Sequence, residues 1–247
     1  MLNNWFEDEE YWIELAPFFF DENRMSSTKQ EVEQIVKLMN LKRGSEILDL
    51  CCGIGRHSLE FVKSGFKVTG VDRCDYYLDK FRQQAKSENL PVEIVKSDMR
   101  DYCFENSFNA AIMMFTSLGY FKDRSDDIKV IRNIYKSLKN GGTVLIDLMG
   151  RELLSQIYMP RDWRELEGRF LLEEREPSSD WSVLKNRWIV FRDGIKFEYK
   201  FQLNIYSGPE MIEILKDCGF SEVKIFGDLL GSPYDVDANR LIVVGHK

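Results

Sequence analysis

The chain has 247 residues, 44% hydrophobic and 30% charged, enough to bury a three-layer core without disulfide or metal staples. No apolar run approaches the roughly 20 residues that cross a bilayer, so no membrane partner is expected, and the net charge of -7 disfavours nucleic acid. Five cysteines without paired spacing imply reduced thiols, a chain with only His57 and His246 is poorly equipped for a histidine-based metal site, and Met1 to Asp8 shows no leader pattern, so the expected location is cytoplasmic.

The chain opens on an aromatic arm, Trp5, Phe6, Tyr11, Trp12, Phe18, Phe19 and Phe20, too apolar for a free tail; it either packs into the core or closes over a ligand. A helix is predicted over Ser27 to Asn40, with Ser27 and Gln30 spaced as a capping box and Val32, Ile35, Val36 and Met39 as its apolar stripe. Strands and helices then alternate. The predicted strands are Glu46 to Leu50, Lys67 to Val71, Val92 to Val95, Asn109 to Met114 and Thr143 to Leu148; the helices between them are Arg56 to Lys63, Tyr76 to Glu88 and Asp126 to Lys139. Such alternation implies a parallel sheet with right-handed crossovers, an α/β doubly wound core.

Between Arg161 and Tyr206 the period changes to two, with Ile195, Phe197, Tyr199, Phe201, Leu203 and Ile205 on one face and polar residues between them. Asp193-Gly194 is a two-residue hairpin signal, so a small antiparallel sheet is expected as an insertion capping a ligand cleft. One last helix follows Ser207 and Pro209, then strands at Glu222 to Phe226 and Leu241 to Val244. The division expected is arm and core over 1–150, inserted cap over 151–206, and completion of the core over 207–247.

Three acids follow the first three strands: Asp49, Asp72 and Asp98. Open parallel sheets bind ligands at the carboxyl ends of their strands, so all three should line one cleft. Gly53 and Gly55 leave the first turn open to close approach by a ligand. Asp72, about 20 residues beyond, stands where a carboxylate accepts from both hydroxyls of an adenosine ribose. Asp49 would repel a pyrophosphate but attract an ammonium and a sulfonium, and Ser58 replaces the third glycine of a dinucleotide fingerprint. After the third strand, Asp98 can accept from an adenine amine with Met99 packed on the ring. Each acid alone reads more readily as a helix cap or solvated turn; together they point to a cofactor.

The motifs Ile47-Leu48-Asp49-Leu50-Cys51-Cys52-Gly53-Ile54-Gly55-Arg56-His57-Ser58, Val68-Thr69-Gly70-Val71-Asp72 and Ser97-Asp98-Met99 resemble the class I S-adenosylmethionine-dependent methyltransferases. The resemblance covers most of Gly44 to Leu148 and implies a Rossmann-like seven-stranded mixed sheet with one antiparallel strand near its edge. It also implies S-adenosylmethionine as cofactor, S-adenosylhomocysteine as product and no metal, with Gly53 and Gly55 bounding the amino-acid portion, Asp72 at the ribose, and Asp98 with Met99 at adenine. Asp49, Cys52, Phe115 and Arg24 complete the expected cofactor set. Cys51 departs from the family, which has glycine there. The arm with Arg24 and the inserted sheet are similar to a subgroup of small-molecule N-methyltransferases acting on amino sugars.

Methyl transfer from a sulfonium is an in-line displacement that needs no dedicated nucleophile, so the expected partner is a small-molecule acceptor. Phe115, Tyr11 and Trp12 are placed to face a sulfonium, or else are plain core. Tyr120 and Tyr11 are the candidates for orienting an acceptor amine or hydroxyl, against packing alone. Arg24 suits a cofactor carboxylate or a surface ion pair, His57 a general base or a helix-end residue, and Asp147 and Tyr234 stand within possible reach of the acceptor. Cys51 and Cys52 read as small buried residues. The alternatives are a nicotinamide-dependent oxidoreductase of the same fold, a noncatalytic adenosine-ligand module and a nucleic-acid methyltransferase; the sequence leaves the oligomeric state open.

Overall fold

The computed structural model describes residues 4–247; Met1 to Asn3, part of the stretch read above for a leader and for the first division of the chain, lie outside the described residues. A short 3-10 turn, Trp5–Glu7, leads into α1 (Glu9–Phe19) and α2 (Glu22–Leu38). The alternating segment follows as β1 (Glu46–Leu50), α3 (Arg56–Lys63), β2 (Lys67–Asp72), α4 (Asp75–Ser87), β3 (Glu93–Lys96), β4 (Phe108–Met113), α5 (Arg124–Ser137) and β5 (Leu138–Leu148). Then come α6 (Arg151–Ile157), four strands β6 (Arg161–Leu166), β7 (Arg169–Pro177), β8 (Val183–Arg192) and β9 (Ile195–Asn204), and finally α7 (Gly208–Asp217), β10 (Ser221–Phe226) and β11 (Leu241–His246).

The main sheet runs β10-β11-β5-β4-β1-β2-β3. It is parallel except for β11, which lies antiparallel to both β5 and β10, so the mixed seven-stranded Rossmann-like sheet expected from the resemblance is present. Its strands alternate between two apolar layers because successive side chains point to opposite faces. Leu48, Leu50, Val144 and Ile146 join Val130, Ile134, Met211 and Leu215 of α5 and α7, while Ile47, Ala110, Ile112 and Leu145 join Val32, Ile35 and Phe61 of α2 and α3. Nearly all are fully buried, and each large aliphatic side chain so placed contributes about 1.5–3 kcal/mol. The strand order reverses between β1 and β4, which places the ligand crevice beside Asp49.

The second sheet is an antiparallel meander, β6-β7-β8-β9, as the period-two pattern predicted. Asp193 (φ 52°) and Gly194 (φ 76°) form its β8–β9 turn, and Glu167 (φ 50°) with Gly168 (φ 73°) forms a matching β6–β7 turn that carried a weaker signal. The polar residues that alternate along β9 are expected on a wet face, but Asn204 is an exception. It is buried, and its amide donates to Asp127 Oδ2 (3.0 Å) and Phe121 O (2.8 Å) where the meander meets the core.

Helix boundaries also differ from expectation. α2 starts five residues before Ser27, because Asp21 caps it by accepting from Arg24 N (2.9 Å). Ser27 is therefore no cap: inside the helix its hydroxyl donates to Arg24 O and Glu31 Oε1. At the other end of the core, Leu138 already pairs with Phe108, so α5 stops at Ser137 and β5 begins five residues before Thr143, running through Gly141 and Gly142.

Candidate functional site

The backbone leaves β1 through three left-handed residues, Cys51 (φ 64°), Gly53 (φ 57°) and Gly55 (φ 77°). A Cβ on Gly55 would lie 2.2 Å from the Phe81 ring, so this glycine serves helix packing; it caps α3 and stands outside the cavity wall. A Cβ on Gly53 would lie 3.0 Å from Phe20. Cys51 occupies its position with a side chain at a cost of about 1–2 kcal/mol. This accounts for the family's glycine there, and Cys51 settles its thiol 3.5 Å from Met99 Sδ. Burial, with Asp72, Asp49 and Asp98 nearby, holds that thiol well above its ordinary pKa, so it is inert and neutral.

The three acids line one cavity of about 600 Å³ with Cys51, Cys52, Gly53, Met99 and Phe115. Asp49 is buried at the end of β1 and accepts from Ser58 Oγ (2.6 Å). Burial raises its pKa above the ordinary carboxyl value, and Ser58 only partly offsets that. Ser58 entered the sequence reading as a missing glycine; its use as a carboxylate donor was not foreseen. Asp72 accepts from Gly53 N (2.8 Å) and Cys74 N (2.9 Å), one donor on each oxygen, so lone pairs remain for a diol. Its pKa is likewise raised by burial. Asp98 differs. Burial opposes its charge, but the fork of Arg100 Nε (3.0 Å) and NH2 (2.8 Å) outweighs burial and lowers its pKa. Arg100 also covers Phe121 at 4.5 Å, and nothing in the local pattern announced it.

The arm packs on the meander and also borders the cavity. Tyr11, Leu15 and Phe18 are buried against Leu171, Val190, Tyr199 and Phe201 of the meander, while Trp5, Trp12, Phe19 and Phe20 line the cavity. Trp5 is the hinge of this packing, its ring 4.6 Å from Phe201, 4.8 Å from Tyr120 and 5.1 Å from Tyr11. Both Tyr11 and Tyr120 reach the cavity. Burial raises both phenols, so at neutral pH they offer O–H donors rather than bases.

Arg24 also lines the cavity, donating to Phe19 O (3.0 Å) and lying 4.0 Å above the Phe115 ring. Burial and the nearby cations Arg164, Arg56 and Arg240 lower its pKa to about 10, still charged at neutral pH. Its stacking means that the Phe115 face expected for a sulfonium carries a guanidinium. Phe115 (φ 66°) and Thr116 (φ 58°) are consecutive left-handed residues, a strained pair just past β4. Asp147 holds them: Oδ2 accepts from Phe115 N (3.1 Å), its carbonyl accepts from Thr116 N (2.8 Å), and Oδ1 accepts from Arg240 Nε (2.6 Å).

Asp147 therefore supports the wall without lining it, and Tyr234 donates to Glu152 (2.9 Å) outside the cavity. His57 reaches the wall, yet its Nε2 is 2.8 Å from Glu31 Oε2, which also takes Arg56 NH1 at 2.6 Å. Burial opposes the Glu31 charge, but these two partners dominate and lower its pKa to about 2. The group ties α2 to the start of α3.

This geometry gathers three carboxylates, the backbone amides of a left-handed turn and a set of aromatic rings around one cavity. Residues 47–142 match the family described as the methyltransferase domain. A Bacillus subtilis protein named for methyltransferase activity is 25% identical over 214 residues, covering 84% of this chain and 86% of its own. A glycine/sarcosine N-methyltransferase from Aphanothece halophytica is 26% identical over 243 residues, covering 96% and 87%. A solved S-adenosylmethionine-dependent methyltransferase from Clostridium acetobutylicum superposes with a TM-score of 0.77 over 96% of both chains at 17% identity, a likeness of fold. With the acids at three strand ends and the left-handed turn, residues 47–142 form a methyltransferase domain, and the chain as a whole is similar to class I S-adenosylmethionine-dependent methyltransferases.

Proposed function

We propose that the enzyme transfers the methyl group of S-adenosylmethionine to a small-molecule acceptor by in-line displacement, releasing S-adenosylhomocysteine. The observation that carries this reading is one partly open cavity of about 600 Å³ bounded by Asp49, Asp72 and Asp98 at one wall and by the arm and meander at another. Its donor set fits the cofactor. Asp72 would take the ribose diol, Asp98 and Met99 the adenine, and Asp49 with Cys52 and Gly53 the ammonium end; Arg24 would fork onto the carboxylate. When bound, the cofactor supplies an electrophilic methyl on a sulfonium.

The chain's own contribution is then placement and exclusion of water. Holding two reactants in line lowers a barrier by roughly 7–11 kcal/mol, which removes the need for a nucleophilic side chain. Tyr120 and Tyr11, kept protonated by burial, would orient the acceptor as hydrogen-bond donors. A cavity of about 600 Å³ walled by aromatics suits a small molecule, and the glycine/sarcosine relative, which spans nearly this whole chain, supports a small acceptor carrying nitrogen.

Calorimetric titration with S-adenosylmethionine, S-adenosylhomocysteine and NADH, on wild type and Asp72→Ala, tests the reading. Binding of the first two, lost in the variant, is expected. Binding of NADH in their place would overturn it.

A further inference from the structure

The meander presents polar groups to the cavity that the cofactor does not need. Its inner face is set by register: Asp162, Glu173, Trp188 and Tyr199 form one cross-strand row, and Arg175, Asn186 and Phe201 the next. Glu173 is 3% exposed, with Arg175 NH2 2.8 Å from Oε1 and Arg164 Nε 3.4 Å from Oε2. Asn186 is 5% exposed and donates its amide to Leu184 O (3.1 Å), leaving Oδ1 free among the described residues. Trp188 Nε1 and Arg164 Nε, both buried, have no hydrogen-bond partner among the described residues. All of these side chains except Tyr199 line the cavity. Buried polar atoms left open in this way are expensive unless a ligand completes them.

We infer that this face, with Glu173, Arg175, Asn186 and Trp188, is the subsite that selects the acceptor, and that it takes an uncharged, hydroxyl-bearing portion of it. The inference rests on the methyltransferase reading above. Its chemistry follows from balance. Asp162 and Glu173 offset Arg164 and Arg175, so the four formal charges of this wall sum to zero. A carboxylate or phosphate on the acceptor would meet Glu173, and an ammonium would meet the two guanidiniums, in each case a buried charge without a net countercharge. The open positions are mixed, acceptors at Glu173 and Asn186 Oδ1 beside donors at Trp188 Nε1 and the guanidiniums. A hydroxyl group answers both kinds at once, since it donates one hydrogen bond and accepts others. Trp188 and Phe201, 5.0 Å apart and edge to face, give the carbon skeleton an apolar wall.

The test uses four ring amines as acceptors with S-adenosylmethionine, following S-adenosylhomocysteine formation: glucosamine, cyclohexylamine, aminocyclohexane carboxylic acid and diaminocyclohexane. Wild type should favour glucosamine in kcat/KM by at least about tenfold over each of the others, the worth of one net hydrogen bond. Glu173→Gln, which makes the wall net positive, should shift relative preference toward the carboxylate compound, and Asn186→Asp, which makes it net negative, toward the diamine. A merely structural role would not reverse preference by charge. Cofactor binding by calorimetry should stay within about twofold in both variants, well under the tenfold that one hydrogen bond represents. Preference for a charged or bare ring amine, variants that leave the ranking unchanged, or cofactor binding with none of the four turned over would each overturn the subsite. Loss of cofactor binding in the wild type would instead overturn the reading beneath it.

Discussion

The two walls of the cavity are made differently. On the main-sheet side the functional groups are backbone ends and carboxylates, fixed by a left-handed turn held by Cys52 N on Val71 O, Gly53 N on Asp72 and Gly55 against Phe81. On the arm and meander side the surface is aromatic rings and ion-paired side chains, with Trp5 of the arm against Phe201 of the meander and Arg175 against Glu173. Under the proposed function, the first kind of wall would meet a cofactor common to many enzymes and the second an acceptor peculiar to this one. The difference teaches where substitutions should change affinity and where they should change selectivity.

The joint between the walls should give the largest effect. Asp127 is buried and accepts from Gly119 N (3.0 Å), Asn204 Nδ2 (3.0 Å) and Tyr206 OH (2.7 Å), so it joins the meander to the loop carrying Tyr120. Asp127→Ala leaves Gly119 N and Tyr206 OH unpaired and removes one of the two hydrogen bonds of Asn204 Nδ2, and should lower stability by about 3–5 kcal/mol. Chemical denaturation measures it. A loss under 1 kcal/mol would mean that the two walls are not coupled there.

Next comes Asp72→Ala, which confines its damage to the main-sheet wall. Losing two hydrogen bonds to a charged acceptor, each about 1.5 kcal/mol, should weaken S-adenosylmethionine binding at least about 100-fold. The proton balance adds a sharper reading. Burial holds both Asp49 and Asp72 above ordinary carboxyl values, and a bound cation favours their ionised forms. Binding should therefore release protons and tighten as pH rises through those elevated values; calorimetry in buffers of different ionisation enthalpy reads the sign. Proton uptake on binding would contradict it.

Smaller effects test the link from arm to turn. The Glu31 carboxyl, lowered from 4.5 to about 2, contributes stability that is complete above its unfolded value and lost as pH falls from 4.5 toward 2. Discounted for solvent screening, it is worth about 1–2 kcal/mol, so wild type should exceed Glu31→Gln by that amount at neutral pH and converge with it near pH 2 in thermal melts. A gap independent of pH would assign the effect to packing. The smallest concerns Cys51. With φ at 64°, Cys51→Gly should be more stable than Cys51→Ala by about 1 kcal/mol, the reverse of the usual order of these residues.

The main-sheet wall was largely legible because its signals are local. Strand, turn and acid lie within ten residues of each other at Asp49, and a single strand end explains Asp72. What escaped notice there was partnership between near neighbours, Arg100 on Asp98 and Ser58 on Asp49, since the sequence pattern gives a residue's type but not its direction. The second wall was legible only as composition and period. Seven aromatics in an arm and an alternating strand predict that something is covered, but not that Trp5 meets Phe201 across almost the whole chain. Helix ends were misread for a related reason: Asp21 and Ser27 are both competent caps, and tertiary packing chose the earlier. The left-handed Phe115-Thr116 pair had no sequence signal at all, because neither residue favours that conformation and Asp147 supplies the restraint from a neighbouring strand.

The chain enters and leaves the meander at almost one point. Arg151 N donates to Tyr206 O (2.9 Å), and its guanidinium reaches Ile205 O (3.0 Å), so the 54 residues between them begin and end on the same spot of the main sheet. An excursion closed in this way behaves as a cassette. Its hairpins can lengthen, shorten or be exchanged in evolution without moving β5 or α7, and an old cofactor turn can be offered to a new acceptor by a single local insertion.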